Sequence, residues 1–199
     1  LTAGPAPLAY LWSGIEHILT RFDHLSFVLG LVLLVGFGPR LLAVILAFTL
    51  AHSITLAAAA LGLIRIDPPL VEAMVAMSVL FLAVELVRSH WGHPGLTSSW
   101  PWLIAFAFGL LHGFAFAGPL ADVGLPRDAI PLSLFLFNLG VVIGQLIFVG
   151  AVWLVFAALR RAVPRPFPPV AEFARIAPPY VLGSLAAFWL LGRLPPIFA

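Results

Sequence analysis

Cysteine is absent from the 199 residues, and so is lysine: all ten basic residues are arginine. Without cysteine the chain forms no disulfide and offers no thiolate to a metal, and its redox compartment leaves no mark on it. Without lysine there is no Gly-Lys-Ser/Thr phosphate loop, so the chain does not itself run on ATP through that device. Charge of either sign is scarce, at 9% of residues against 62% hydrophobic, and the mean hydropathy is +1.13. Soluble domains carry about a quarter charged residues. So few charges cannot coat a water-facing surface, which excludes a soluble enzyme, a nucleic-acid-binding domain and a disordered tail. A formal net charge of +2 on this background is a matter of membrane orientation, not of a polyanion partner. The composition is that of a polytopic membrane protein whose surroundings are the lipid bilayer. Partner proteins leave no signature.

A helix crosses the hydrocarbon core in roughly 20 residues. Six apolar stretches of about that length are bounded by Pro, Gly or Arg, at about 11–37, 40–63, 70–88, 100–118, 131–159 and 178–194. The runs are continuous and not alternating, so the expectation is an all-α transmembrane bundle of about six helices, not a barrel. A single transmembrane domain over 1–199 is expected, with no convincing internal repeat. Residues 1–10 lack the basic and apolar regions of a signal peptide, and a preceding extracytoplasmic segment is an open expectation. Arg40, Arg88, Arg160, Arg161, Arg165 and Arg175 fall in alternate loops, opposite Arg65, Arg127 and Arg193. The positive-inside rule then puts the arginine-rich loops in the cytoplasm of a bacterial-type inner membrane and both termini outside.

Ionisable groups within such spans cost a few kcal/mol or more at the helix centre and ask for a reason. The first span holds Glu16, His17, Arg21, Asp23 and His24; the second holds His52 and Ser53; the fourth His112; the fifth Asn138 and Gln145. Glu72 opens the third span and Glu85 lies near its other end. With both termini outside, Glu16, His17, Asp23, His24, His52, Glu72, His112 and Asn138 can converge in the outer half of the bundle, with Glu85 the exception. Imidazole and carboxylate without thiolate suit a borderline divalent ion such as Ni²⁺, Co²⁺ or Zn²⁺. On one continuous helix His17 and His24 would differ in height by about 10.5 Å, too far to share an ion. Simpler readings stand beside these: His17 solvated at the interface, Arg21 paired with Glu16 or Asp23, and His52, Asn138 and Gln145 as interhelical glue. His90 and His93 sit in a loop where solvation is the default. Gly109 with Gly113, and Gly140 with Gly144, are small-xxx-small pairs suited to close helix packing.

The runs Gly14-Ile15-Glu16-His17, Phe22-Asp23-His24-Leu25-Ser26, Phe48-Thr49-Leu50-Ala51-His52-Ser53, Phe108-Gly109-Leu110-Leu111-His112-Gly113 and Phe137-Asn138-Leu139-Gly140, in that order, resemble the HupE/UreJ family of membrane proteins. The resemblance implies nickel or cobalt uptake linked to hydrogenase and urease maturation. It makes His17, Asp23, His24, His52 and His112 the candidate metal ligands; Glu16, Ser53, Glu72, Asn138 and Gln145, singled out above as polar groups of the spans, are expected to support them. Where a glycine-glutamate pair is expected in the fifth span, this chain has Gly144-Gln145.

Two functions fit these residues. One is an uptake permease for nickel or cobalt. The alternative is an intramembrane zinc-dependent hydrolase acting on a lipid or lipid-linked substrate, with three histidines activating water. A membrane anchor or sensor, its polar groups serving only to pack helices, is a third possibility.

Overall fold

The computed structural model describes residues 7–64, 66–93, 95–115, 130–163 and 168–198, and these are helical, with no strand among them. In chain order the helices are α1 (Pro7–Thr20), α2 (Phe22–Val35), α3 (Pro39–Ala60), α4 (Pro68–His90), the short α5 (Leu96–Ser99), α6 (Pro101–Phe114), α7 (Ile130–Ala162), α8 (Pro168–Arg193) and the short α9 (Pro195–Phe198). Prolines open α3, α4 and α6, where the missing N–H is an orphan in any case. Between α2 and α3 the chain reverses through Gly36, whose φ of 77° a side chain would resist.

Helices α3, α4, α7 and most of α8 are each long and apolar enough to cross a membrane. The expected first span is not one rod. It breaks at Arg21, and α1 and α2 meet at an angle of 73°; counted as one bent crossing, they bring the spans among the described residues to five. The described part of α6 is shorter, 14 residues, or about 21 Å at the helical rise. Residues 116–118, the end of the expected fourth span, lie outside the described residues, as do Arg65, Arg127 and Arg165. Pro178 and Pro179 were expected to open the last span. They lie instead inside α8, which already begins at Pro168 and takes up half of the expected 160–177 loop.

The core and the outer surface of α3 are both apolar. Leu41, Ile45, Phe48, His52, Thr55 and Ala59 are buried, stepping four and three residues along one seam, while Leu42, Leu46, Leu50 and Ile54 stand exposed every fourth residue. A helix that is apolar all round belongs in a hydrocarbon solvent, where an exposed leucine stripe carries no penalty. The length of the helices and this inside-out pattern make the chain a multi-pass membrane protein.

The helices associate chiefly as three pairs, α3 with α6, α1 with α7 and α4 with α8, and α2 is wedged among α4, α7, α3 and α8. Two crossings depend on glycine. A Cβ on Gly14 would run into the Phe137 carbonyl of α7, and one on Gly109 into the Phe48 carbonyl of α3. These contacts bring α1 and α6 backbone to backbone with their partners. Phe27, Leu31, Phe48, Val79 and Leu82 fill the centre around α2. Position matters more than volume here: α2 carries Asp23 and His24 into the middle of the bundle on its first turn.

Candidate functional site

The site begins at the break. Arg21 is extended (φ −91°, ψ 99°), and α2 starts immediately after it with Asp23 in its first turn, where a carboxylate complements the helix dipole. Asp23 Oδ1 accepts from the backbone N–H of His24 at 2.9 Å and from its ring Nδ1 at 2.9 Å. Arg21 grips the same carboxylate from the other side, Nε to Oδ1 at 3.2 Å and Nη2 to Oδ2 at 2.9 Å. Of the two partners expected for Arg21, it takes Asp23. These short-range bonds offer the backbone an alternative to continuing α1, and they hold the kink.

The kink changes what His17 and His24 can do. Their ring centres are 5.1 Å apart, because α2 turns back toward the end of α1. The separation expected from an unbroken helix is therefore corrected. His52 on α3 lies 6.2 Å from His17 and 6.3 Å from His24, and His112 on α6 lies 4.7 Å from His24. Four histidines from four helices form one cluster. Phe27, Phe48 and Phe137 surround it, with Phe27 and Phe48 centred 4.9 and 5.1 Å from the His112 ring and Phe137 5.5 Å from that of His17.

Hydrogen bonding fixes which nitrogens are available. An ionised carboxylate only accepts, so His24 donates from Nδ1, and in the neutral ring the lone pair is on Nε2. Ser78 Oγ donates its one proton to the Val75 carbonyl at 2.7 Å and lies 2.9 Å from His112 Nε2. The histidine must then be the donor, which leaves the lone pair on Nδ1. Among the described residues, His24 Nε2, His112 Nδ1 and both nitrogens of His52 are buried with no hydrogen-bond partner. An unpaired buried polar atom costs about 1–3 kcal/mol.

Ligand geometry can be set against these separations. With metal–nitrogen bonds of about 2.0–2.1 Å, rings sharing one ion have centres about 4.5–6.5 Å apart. The separations of His17 from His24 and His52, and of His24 from His52 and His112, 4.7 to 6.3 Å, lie within that range. Among the described residues no group of three His, Asp or Glu side chains is already disposed to hold an ion. The rings are gathered, and their donor atoms are not yet aimed at one point.

The other expected residues divide. Asn138 is buried on α7, donating to the Leu134 carbonyl at 2.8 Å, and its Oδ1 has no hydrogen-bond partner among the described residues. Gln145 is buried with its Oε1 3.0 Å from Thr49 Oγ1, so the amide found in place of a carboxylate ties α7 to α3. Ser53 is turned back on its own helix, donating to the Thr49 carbonyl at 2.7 Å. Glu16 is exposed on α1. Glu72 stays out of the histidine cluster and accepts from Arg193 Nε at 3.0 Å.

Two residues of the site were not expected from the sequence. Ser78 orients His112. Arg193, in the last turn of α8, reaches Glu72 on α4 and brings Nη2 to 3.9 Å from Asp23 Oδ2. The side chains grade inward, from Glu72 (42% exposed) through Arg21 (34%) and Arg193 (23%) to Asp23 (6%) and His24 (1%). His52 and His112 are wholly buried beyond them.

At the opposite end of α4, Glu85 is buried and accepts the Thr97 N–H at 3.0 Å, bracing the segment around α5. His90, expected to be a solvated loop residue, closes α4 and pairs with Glu172 of α8 at 3.0 Å.

The sequence pattern of the HupE / UreJ protein family matches residues 2–193. The chain belongs to the HupE/UreJ family. No curated protein and no solved structure matches it. The match takes in all four clustered histidines together with Asp23, Ser78 and Arg193.

Proposed function

We propose that this HupE/UreJ protein is an uptake permease for a divalent transition-metal ion, nickel or cobalt, and that His24, His52 and His112 are its central ligands. The observation that carries the reading is the set of buried, unpartnered nitrogens on three histidines gathered from three helices. Neutral imidazoles suit a borderline cation and add no charge, which favours binding weak enough for release. His17, at the junction of α1 with the cluster, is the fourth candidate. Asp23 acts through His24: a carboxylate on the far nitrogen fixes the tautomer and raises the basicity of the ligating one. Closing the rings on an ion requires them to rotate, and the metal is cargo, not a resident group.

The exposure gradient from Glu72 to His52 supports access from the Arg193 end of the bundle. Arg40, Arg88, Arg160, Arg161 and Arg175 all belong to the end where α2 and α4 finish and α8 starts, while Arg21 and Arg193 belong to the other. The positive-inside rule then gives uptake into the cytoplasm across a bacterial-type inner membrane. The zinc-hydrolase reading draws on the same histidines and gains no observation of its own, since Ser53 is bonded to its own helix.

Uptake of Ni²⁺ and Co²⁺ into proteoliposomes tests the permease. Flux above that of empty vesicles, lost in His52→Ala, is expected. Flux equal to that of empty vesicles and indifferent to His52→Ala rejects it.

A further inference from the structure

Arg193 occupies a place that the histidine cluster alone does not explain. It comes from the far end of the chain, 121 residues after Glu72, and it closes a four-charge network with Glu72, Asp23 and Arg21. Its Nε is committed to Glu72, its Nη2 faces Asp23, and its Nη1 is buried without a hydrogen-bond partner among the described residues. The network is neutral, two guanidinium groups against two carboxylates. It lies between the exposed rim at Glu72 and the buried imidazoles behind Asp23.

We infer that Arg193 is a specificity-determining residue of the site: its guanidinium is a built-in cation that an incoming ion must displace from Asp23 and Glu72, and only a divalent ion does so effectively. The inference rests on the metal-binding reading above. A divalent ion added to a neutral network leaves two uncompensated positive charges in a low-dielectric setting, which is strongly unfavourable. Release of Arg193 toward water removes one of them, and it leaves Glu72 without its partner and Asp23 with Arg21 as its one guanidinium. Arg193 is suited to leave. It sits in the last turn of its helix and makes one hydrogen bond in the network, to Glu72, whereas Arg21 is held to Asp23 by two. A sodium or potassium ion brings only the charge that Arg193 already supplies and gains nothing by the exchange. Arg193 also draws electron density from Asp23, so its release makes His24 a stronger ligand.

The test is calorimetric titration of the detergent-solubilised full chain with NiCl₂, at constant ionic strength in either sodium chloride or N-methylglucamine chloride. The wild type is expected to bind Ni²⁺ with the same affinity in both salts. Arg193→Gln is expected to bind on the order of tenfold more tightly in N-methylglucamine, since the competing charged hydrogen bonds are gone. In sodium chloride it is expected to lose that gain, because the small cation now competes. Arg193→Lys keeps the charge but not the forked reach to two carboxylates, and is expected to fall between the two. Thermal unfolding of each variant establishes that it is folded; if Arg193→Gln is not, the Arg193→Lys comparison decides. Unchanged or weaker Ni²⁺ binding by the folded variants in N-methylglucamine chloride, or equal affinity of folded Arg193→Gln in both salts, overturns the inference while leaving the permease reading intact. A wild type that binds neither Ni²⁺ nor Co²⁺ overturns both.

Discussion

His112 Nε2 lies 2.9 Å from Ser78 Oγ, and the serine hydroxyl donates to the carbonyl of Val75. One small side chain in the middle of α4 thereby decides which nitrogen of a histidine on α6 carries its proton. The same logic holds at His24, where Asp23 takes the Nδ1 proton and leaves Nε2 free. His24 and His112 are each bonded on one nitrogen and open on the other. This is the arrangement ligating histidines usually have, with the second nitrogen held by a carboxylate or another acceptor.

Ser78→Ala removes the acceptor from His112 Nε2–H and frees the ring to turn. Ni²⁺ affinity is expected to fall by about 10–100-fold, the usual range for loss of an orienting partner, with the helical content of the protein unchanged. Titration of purified protein checks it, and an unaltered affinity would show that Ser78 merely fills space.

Asp23→Asn acts in two ways. It weakens the hold on His24, so Ni²⁺ affinity is expected to fall on the same scale as for Ser78→Ala. It also leaves Arg21 and Arg193 short of a counter-charge, at a stability cost of about 1–3 kcal/mol, less than for a sealed ion pair because both arginines reach solvent. Thermal unfolding in detergent separates the second effect from the first.

Backbone contact between α1 and α7 makes a third prediction. Gly14→Ala sets a methyl against the Phe137 carbonyl, and Gly140→Ala sets one against that of Leu11. Each is expected to lower stability by about 1–3 kcal/mol, as overpacking does. Gly150→Ala, further along α7 where a Cβ meets nothing within 4 Å, is expected to be neutral or to stabilise by up to about 1 kcal/mol. Equal melting temperatures for all three would contradict the close crossing.

Glu85 is far along α4 from Glu72 and serves the segment around α5, not the histidines. Glu85→Ala is expected to destabilise by about 1–3 kcal/mol through the orphaned Thr97 N–H, while Ni²⁺ affinity stays as it was. A loss of affinity in folded Glu85→Ala would instead make Glu85 part of the metal pathway.

The helical, membrane-embedded character of the chain was legible in its composition, and His24, His52 and His112 stood out as polar groups in apolar runs. Their nearness follows from ordinary helix packing, with glycine letting α6 approach α3 at Gly109. The break at Arg21 was not legible. It is marked by no proline or glycine, and it is held by bonds from Asp23 to residues on both sides of it, which a periodicity reading passes over. That one kink turned two histidines judged too distant into neighbours. Ser78 was hidden because a lone serine in an apolar helix usually bonds to its own backbone, which it also does here. Arg193 was hidden for a different reason: nothing local links the end of α8 to Glu72, and only the antiparallel packing of α4 and α8 brings them together.

The central claim is that one divalent ion sits among His24, His52 and His112. Anomalous diffraction at the nickel edge, from crystals of the protein grown with Ni²⁺, tests it most directly. The account predicts a single strong peak within bonding distance of His24 Nε2, His112 Nδ1 and a nitrogen of His52, lost in His52→Ala. A peak confined to the exposed histidine loop around His93, or no peak in the bundle, would contradict it.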